Sequence, residues 1–320
     1  MDTKLIIDFF STLRIHLVNT KQKRKADVCN NVINAIHELG NSLTLDSLKQ
    51  KPGIGKSSID KIKKVINGEW PCPISREKGQ LIVSLENVYA IGPITARKLV
   101  LDKDVSSFEE LKNRSKELLN GKQIIGVKYY EDLLQRIPRA EVKNHERYIM
   151  KTLEKIEKNI KNEEQKTIAT VVGSYRRGKE DSGDIDVLFT GPDPEVVLKM
   201  IDAFGSYVLA TLAGGFEAMR RKGAPLPLKF MGIVQLPNCI PRRLDMLYCP
   251  PNEYPFALLY FTGSKEYNTE VRSKANALGY TMNEHALTKI ETGIKVNKNF
   301  KTEREIIEFL GDTWREPHER

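Results

Sequence analysis

Three aspartates in two short segments have the spacing expected of a site for divalent metal ions. Asp184 and Asp186 stand two residues apart in the run GDIDV, and Asp245 lies between two apolar residues in RLDML. Side chains two residues apart on a β-strand project from the same face, so both carboxylates of the first run point one way. Adjacent carboxylates repel each other unless a cation lies between them, and Mg²⁺ prefers oxygen ligands. The three acids therefore predict a site for two Mg²⁺ ions, with Mn²⁺ as a substitute.

A turn that could bind phosphate precedes the first two aspartates. Gly173 and Ser174 follow a β-branched run, and the turn there exposes backbone N–H groups, to which Arg177 adds positive charge. A pair of aspartates alone would more often cap exposed turns. The turn, the arginine, the pair and the later strand aspartate, in this order, favour nucleotidyl transfer. In that chemistry one metal activates a hydroxyl and the other stabilises the leaving pyrophosphate.

The elements that must position these residues follow from the apolar pattern, which predicts an α+β fold. Runs rich in β-branched residues predict strands at residues 167–172, 185–189, 230–236 and 243–247. Helical periodicity predicts helices at residues 142–160, 194–204, 255–261 and 264–278. The first half of the chain is predicted to be all-helical, with short helices separated by glycine-bearing turns.

Composition limits the partners and the compartment. The 320 residues carry a net charge of +9, which fits nucleic acid as a partner and fits a merely soluble basic protein about as well. No apolar run is long enough for a signal peptide or a membrane span, so no membrane partner is expected. The cysteines lack zinc-site spacing and are too scattered for a disulfide scaffold, which predicts a reducing intracellular compartment. They are Cys29, Cys72, Cys239 and Cys249.

The segment GSYRRGKEDSGDIDVLF at residues 173–189 resembles the nucleotidyltransferase motif of the family X DNA polymerases, most of all that of the polymerase beta type. The resemblance extends from about residue 25 to residue 316 and includes KFMGIVQLP, RRLDML, YFTGS and WREP. It implies all-helical helix–hairpin–helix domains, then a nucleotidyltransferase palm with a mixed β-sheet, then a C-terminal α+β subdomain. The implied segments are a 5′-phosphate and lyase domain, a duplex-binding subdomain, the palm and a subdomain that binds the nascent base pair, at residues 1–76, 77–138, 139–250 and 251–320.

The resemblance also implies a role for each site residue. Asp184, Asp186 and Asp245 would bind the metals, and Arg243 would lie beside Asp245 and the primer end. The segment from Tyr260 to Gly263 would contact the sugar and exclude a 2′-hydroxyl, although the residue types alone favour core packing for its two aromatics. The residues that would bind the incoming deoxynucleoside triphosphate are Arg136, Ser174, Arg177, Ser182, Gly183, Tyr260, Phe261, Gly263, Asn268 and Arg272.

Three features depart from the polymerase beta pattern. Lys265 stands where an acid usually follows TGS, and Leu247 stands two residues beyond the third aspartate, where an arginine is usual. Both departures are expected to affect closing of the site. The loop at residues 237–241 is short, and the aromatic before Thr-Gly is not tryptophan. This last feature disfavours the template-independent members of the family.

Two turns in the helical half repeat a pattern, KPGIGK at residues 51–56 and YAIGP at residues 89–93. Glycines allow the backbone to approach a phosphate, and the N–H groups at the next helix start can bind it, although an ordinary corner between helices is an equal alternative. The turns resemble helix–hairpin–helix motifs, which implies a monovalent cation, Na⁺ or K⁺, bound by backbone carbonyls. Ala90 replaces a usual glycine in the second turn. The implied carbonyls belong to Lys49, Lys51, Ile54, Glu86, Val88 and Ile91.

Lys61, seven residues after Ile54, lies where the family has its lyase nucleophile. Such a lysine attacks the aldehyde of a 5′-deoxyribose phosphate when neighbouring cations keep it neutral. A solvated basic face is the commoner alternative for such a helix. Ser57 and Cys29 replace a lysine and an aromatic of the family's pocket. The residues expected to bind the 5′-phosphate are Arg24, Lys25, Lys49 and Lys56.

The resulting prediction is a monomeric, template-directed DNA polymerase that fills short gaps, with 5′-deoxyribose-phosphate lyase activity, in base excision repair. Its expected partners are dNTPs, gapped or nicked DNA with a 5′-phosphate, and repair proteins such as a DNA ligase. The nucleus is the favoured compartment, with a viral or organellar origin left open. The alternatives are a template-independent nucleotidyltransferase and a non-catalytic protein that binds DNA gaps or ends.

Overall fold

The computed structural model describes residues 2–213 and 229–320 of the chain. The chain forms two compact units, Met1–Tyr130 and Glu131–Arg320. In the described ranges, no helix is both long and apolar enough to cross a membrane.

The first unit is all-helical, as predicted. Its side-chain caps fix several helix starts; Asp2, for example, accepts a hydrogen bond from the Leu5 N–H at 3.0 Å. The helices are α1 (Thr3–Asn19), α2 (Lys23–Leu39), α3 (Leu45–Lys49), α4 (Lys56–Ile66), α5 (Arg76–Glu86), α6 (Pro93–Leu101), α7 (Phe108–Asn113), α8 (Ser115–Leu118) and α9 (Gly121–Lys128), and α10 (Tyr130–Leu134) leads into the second unit.

Helix α1 contributes to two apolar cores of the first unit. Phe9 and Phe10 pack with residues of α2 and α4, whereas Ile15 belongs to a second core with residues of α5 and α6. An ion pair between Arg14 and Glu86, 2.5 Å long, also joins α1 to the end of α5. A single helix therefore stabilises both halves of this unit.

The two glycine-bearing turns have the same backbone geometry. Gly53 and Ala90 both have positive φ, +78° and +63°, and the residue two positions later, Gly55 or Gly92, caps the following helix with ψ near 175°. The Ile54 N–H donates to the Lys51 carbonyl at 3.3 Å, and the equivalent bond in the second turn is 3.0 Å long. The structure therefore confirms the predicted repeat of helix, tight turn and helix.

The second unit is built on a five-stranded mixed sheet with the order β2-β4-β7-β6-β5. Neighbouring strands are antiparallel except β4 and β7, which are parallel. The strands of the unit are β1 (Ile137–Pro138), β2 (Ile168–Val171), β3 (Asp181–Ser182), β4 (Ile185–Thr190), β5 (Val208–Ala213), β6 (Lys229–Val234), β7 (Arg242–Tyr248), β8 (Tyr280–Met282) and β9 (Leu287–Lys289). Its helices are α11 (Arg139–Ile156), α12 (Gly173–Arg176), α13 (Val196–Phe204), α14 (Tyr254–Thr262), α15 (Lys265–Ala277) and α16 (Glu303–Phe309).

One face of the sheet forms the main core of this unit with α11 and α13. Ile185 and Val187 of β4 and Leu244 and Met246 of β7 are buried in it. Because side chains alternate along a strand, Asp186 and Asp245 point to the opposite face. The apolar residues on either side of the two aspartates therefore face the core.

Helix α11 ends at Ile156, earlier than predicted from periodicity. Glu157 follows the last helical residue, and its buried carboxylate accepts the Thr167 N–H at 3.0 and 3.1 Å. Ile160, predicted to be helical, lies beyond the helix.

The C-terminal part of the second unit has its own apolar core. Phe256 of α14, Tyr267 and Val271 of α15, and Ile306 of α16 are buried there, next to the hairpin β8–β9. The α+β class is confirmed, while the division into four segments after residues 76, 138 and 250 stays a prediction.

Candidate metal-binding and nucleotide-binding site

Two parallel strands place the three predicted aspartates together. Asp186 of β4 and Asp245 of β7 are direct register partners, and Asp184 immediately precedes β4. One carboxylate oxygen from each residue lies within 4.8 Å of the other two. The cluster therefore depends on the parallel pairing of segments that are far apart in sequence.

Burial makes two of these carboxyls hard to ionise. It raises the pKa of Asp186 to about 7, and the charges of Asp184 and Asp245 add to the rise. Burial also raises the pKa of Asp245 to about 6, against the opposing effect of Arg243. The Oδ1 atom of Asp245 is buried and has no hydrogen-bond partner among the residues that the structure describes. An oxygen-rich, charge-crowded cluster with an unpartnered oxygen fits a divalent cation such as Mg²⁺.

Arg243 supplies positive charge to the cluster. Its guanidinium donates to Asp184 Oδ2 and lies 3.5 Å from Asp245 Oδ2. The structure thus places Arg243 beside the acids, as predicted, with its closer contact to Asp184. A cation that binds the acids would compete with this contact.

The predicted phosphate-binding turn lies directly over Asp186. Gly173 has φ +62°, and a Cβ atom added there would lie 2.6 Å from Asp186 Oδ2. The Val172 N–H donates to the Asp186 carbonyl at 2.9 Å, and the Ser174 hydroxyl donates to Ser182 Oγ at 2.9 Å. Glycine is required here by both the close approach and the backbone conformation.

The short ladder between β1 and β3 brings Arg136 to the same region. Ile137 is the register partner of Ser182. Arg136 donates to Asp181 Oδ1 at 2.7 Å, and its Nη1 lies 3.0 Å from the position that a Cβ atom would take on Gly183. Arg136, Ser182 and Gly183 are therefore neighbours, although 46 positions separate the first from the second in numbering.

Arg177 contacts the end of α14. Its Nη1 donates to the Thr262 carbonyl at 2.6 Å, and burial lowers the pKa of its guanidinium. The Gly263–Ser264 peptide that follows is cis. The sequence placed Arg177 beside a triphosphate, and the structure adds a contact to the YFTG segment.

The remaining predicted nucleotide residues gather around Tyr260. The centroid of its ring lies 5.0 Å from the ring centroid of Phe261 and 5.0 Å from the Cζ atom of Arg272. Asn268 Nδ2 donates to the Tyr260 carbonyl at 2.8 Å. Both aromatics are half-buried, so neither is a simple core residue.

The departures at residues 265 and 247 have different surroundings. Lys265 is exposed in the first turn of α15, and the acid next to it, Glu266, has its pKa lowered by its own N–H and by Ser264. Leu247 packs against an apolar cluster that contains Val172 and Leu188.

The sequence did not indicate the pair of Arg176 and Glu303, whose side chains are hydrogen-bonded at 2.6 and 3.0 Å across a separation of 127 residues. No local pattern signals such a pair.

In the first unit, a cavity of about 770 Å³ contains the predicted lyase lysine. Lys61 donates to Ser57 Oγ at 2.6 Å, and Lys25 and Cys29 also line the cavity. Burial raises the pKa of the Cys29 thiol to about 11. Of the four residues expected to bind the 5′-phosphate, Lys25 alone lines this cavity; Arg24, Lys49 and Lys56 do not, and Lys49 pairs with Asp46 at 2.7 Å.

The carbonyls expected to bind a monovalent cation lie in the two repeated turns and at the ends of the helices that precede them, α3 and α5. Those of Lys51 and Val88 each accept one N–H, at 3.3 and 3.0 Å, which leaves a second lone pair on each oxygen. The cation roles of these two residues and of Lys49, Ile54, Glu86 and Ile91 stay predictions.

Three profiles of known protein domains match the chain. The profile of the DNA polymerase beta palm matches residues 136–251, that of the DNA polymerase beta thumb matches residues 257–320, and that of the fingers domain of DNA polymerase lambda matches residues 84–134. The second unit therefore has a polymerase beta-like palm, with Asp186 and Asp245 on its sheet and Asp184 directly before β4.

Curated relatives extend the similarity along the chain. DNA polymerase lambda of Arabidopsis thaliana is 29% identical over 87% of this chain and 54% of its own length, and that of Rattus norvegicus is 27% identical over 84% and 47%. A DNA nucleotidylexotransferase of Xenopus laevis is 24% identical over 77% and 53%. The chain spans about half the length of these relatives. It belongs to the family X DNA polymerases.

Proposed function

We propose that the chain is a template-directed DNA polymerase that fills short gaps during base excision repair. The observation that supports this most strongly is the register pairing of Asp186 with Asp245, which gathers three carboxylates beside the Gly173–Ser174 turn. The substrates are dNTPs and a DNA 3′ end. The relatives named DNA polymerase lambda support the same activity.

In this proposal each side chain of the site has a separate task. Asp184, Asp186 and Asp245 would hold two Mg²⁺ ions, whose chemistry is activation of the 3′-hydroxyl and neutralisation of triphosphate charge. Arg177 and the backbone of the turn bind phosphate oxygens, because both offer N–H donors. The other proposed triphosphate residues are Arg136, Ser174, Ser182 and Gly183.

Specificity would come from the opposite wall of the site. Tyr260 and Phe261 present their rings and backbone to the sugar, and a 2′-hydroxyl would collide there. Asn268, already bonded to the Tyr260 carbonyl, and Arg272, stacked over its ring, hold this wall in place. The Arg243 guanidinium orients the primer end beside Asp245.

The test is single-nucleotide extension across a one-nucleotide gap with Mg²⁺ and dNTPs. Asp245→Ala should lower the rate by more than about 100-fold, because a metal ligand is removed. Asp202→Ala, an exposed acid on α13, is the matched control and should retain the wild-type rate. Tight gap binding by a wild-type protein that never extends the primer would instead support the non-catalytic alternative.

We also propose 5′-deoxyribose-phosphate lyase activity in the cavity around Lys61. The bond to Ser57 orients the Lys61 amine, and Lys25 supplies positive charge in the same cavity. The Lys61 amine would form a Schiff base with the sugar aldehyde, with release of water. β-Elimination would then break the C3′–O bond and free the 5′-phosphorylated DNA end, and water would hydrolyse the Schiff base to release the sugar phosphate and restore the amine. Burial and the raised pKa of Cys29 keep that thiol protonated, so it does not compete as a nucleophile.

Borohydride trapping of the Schiff base on gapped DNA tests this proposal. Lys61→Ala should abolish trapping and leave gap filling intact, whereas Lys63→Ala, an exposed lysine on the same helix, should trap as wild type does. If the wild type fills gaps but is never trapped, the replacements at residues 57 and 29 have removed the lyase.

Template-independent addition is a second candidate, because a DNA nucleotidylexotransferase is among the relatives. The connection between β6 and β7, from Gln235 to Pro241, speaks against it. It is short and closed by a bond from the Cys239 N–H to the Leu236 carbonyl. A change of template base decides the matter: an incorporated base that does not change with the template would favour this candidate.

The finer assignments belong to the same proposal. Residues 1–76 would bind the 5′ side of a gap, residues 77–138 the duplex, residues 139–250 would carry the chemistry, and residues 251–320 would contact the nascent base pair. Na⁺ or K⁺ would bind at the two turns, Mn²⁺ could replace Mg²⁺, and a DNA ligase is a proposed partner. We also propose a nuclear location. The four cysteines are free thiols, which fits a reducing compartment.

A further inference from the structure

A buried carboxylate outside the metal cluster, that of Glu303, binds two arginines at once. It accepts hydrogen bonds from Arg176 at 2.6 and 3.0 Å and from Arg320 at 2.9 Å. The Glu303 side chain is 5% exposed and that of Arg320 is fully buried. Because buried charges require partners, loss of this carboxylate would leave two guanidinium groups without their shared anion.

Arg176 connects this carboxylate to the wall of the nucleotide site. Its Nη1 donates to Thr262 Oγ1 at 2.5 Å, while the next residue, Arg177, donates to the Thr262 carbonyl at 2.6 Å. Thr262 is fully buried at the end of α14, directly before Gly263. Two consecutive arginines therefore hold one threonine, one through its hydroxyl and the other through its backbone.

The C-terminal segment holds Glu303 from the other side. The Arg320 guanidinium lies 4.4 Å from the Trp314 ring centroid and 5.1 Å from that of Tyr267. Its Nε donates to the Arg315 carbonyl at 3.0 Å. These contacts fix the orientation of Arg320, and with it the position of the Glu303 carboxylate.

We propose that Glu303 is a positioning residue for nucleotide binding, an inference that rests on the proposed polymerase function. It fixes Arg176, which fixes Thr262, and so sets the separation between Arg177 and the wall formed by residues 260–263. Because Ser174 and Arg177 belong to the same short segment as Arg176, loss of Glu303 weakens binding of the triphosphate. Binding of DNA does not depend on this linkage.

The experiment compares Glu303→Gln with Glu270→Gln on a one-nucleotide gap. Glu270 forms an exposed pair with Arg315, at 2.6 and 3.0 Å, and serves as the matched control. Glu303→Gln should raise KM for the dNTP about tenfold, the effect of losing one charged hydrogen bond, with the Kd for gapped DNA unchanged. Glu270→Gln should change neither by more than about twofold.

A double-mutant cycle tests the route through Arg176. If Glu303 acts through Arg176, the double variant Arg176→Ala with Glu303→Gln should have the KM of the worse single variant. A double variant whose KM rises by the product of the two single-variant fold-changes would overturn the proposal. An unchanged KM for Glu303→Gln would also overturn it. So would an equal weakening of dNTP and DNA binding by this variant, because that result indicates a general loss of native structure.

Two further measurements keep the proposal falsifiable. Where Glu303→Gln fails to fold, Thr262→Val removes the acceptor for Arg176 at nearly constant volume and should raise KM in the same way; a wild-type KM would overturn the proposal. Where the wild type does not extend the primer, the proposed polymerase function fails. Calorimetric binding of Mg-dATP to wild type and Glu303→Gln then decides the role of Glu303, and equal affinities would overturn it.

Discussion

At the scale of single residues, the chemistry of the site depends on crowding of like charges. Asp186 and Asp245 have raised pKa values because burial and neighbouring carboxylates disfavour their ionised forms. A raised carboxyl pKa means that the folded state binds more protons than the unfolded state between the two pKa values. Stability is therefore lost as the pH rises from about 4, the unfolded value, through about 7, the folded value of Asp186.

This linkage predicts that Asp186→Asn stabilises the metal-free protein while abolishing activity. The gain in Tm should be larger at pH 8 than at pH 5, because the penalty is complete only above the folded pKa. Mg²⁺ should raise the Tm of the wild type and reduce the difference between the two proteins. Thermal unfolding at both pH values measures this, with Asp202→Asn as the control. A gain equal at both pH values would contradict the electrostatic explanation.

Residue spacing alone predicts the acids but not their surroundings. Asp184 and Asp186 belong to one short run, so their shared face follows from strand geometry. The Arg176–Glu303 pair joins segments 127 residues apart, and only the packed C-terminal core brings them together. The sequence also predicts Lys49 and Lys56 at the 5′-phosphate; neither lines the cavity around Lys61, and their role stays a prediction.

At the scale of elements, the repeated turns show how backbone conformation selects residue type. Gly53 and Ala90 occupy the same left-handed position, with φ of +78° and +63°. An alanine in this region costs about 1 kcal/mol more than a glycine. The glycine missing from the second turn was visible in the sequence, but the left-handed conformation that makes it costly was visible only in the structure.

We therefore expect Ala90→Gly to stabilise the protein by about 1 kcal/mol, since Ala90 is exposed and loses no packing. Gly53→Ala should have the opposite effect and a larger one, because its Cβ would also lie 2.5 Å from Asn31 Nδ2. Chemical denaturation of both variants measures the difference. A neutral or destabilising effect of Ala90→Gly would contradict the predicted cost of the left-handed alanine.

The mixed sheet was predictable as a set of strands, but its order was not. Alternating burial in β7 appears in the sequence as RRLDMLY, and the structure buries every second residue of it. The parallel pairing of β4 with β7 joins strands separated by β5 and β6, and such long-range pairing leaves no local signal. The resemblance to the family X polymerases, rather than periodicity, implied that the sheet is mixed, and it did not give the strand order.

At the scale of the whole molecule, the proposed division of labour predicts a preference for short gaps. The first unit would bind the 5′-phosphate and the second unit the 3′ end. Extension of a one-nucleotide gap with a 5′-phosphate should therefore be at least about tenfold more efficient than extension of an open primer–template, the gain expected when a second site binds the same substrate. Equal efficiency on the two substrates, measured as kcat/KM, would contradict this arrangement.

Helix α1 carries apolar side chains for both cores of the first unit, Phe9 and Phe10 for one and Ile15 for the other. The two halves of the first unit, each with one of the repeated turns, therefore share helix α1 as a common packing element. A fragment that stops near residue 76 would keep α1 but leave Ile15 and Arg14 facing water, without the core and the acid they contact on α5. The segment proposed to carry the lyase therefore shares part of its packing with the helices that follow it, and separating the two should cost the apolar burial of Ile15 and the ion pair of Arg14.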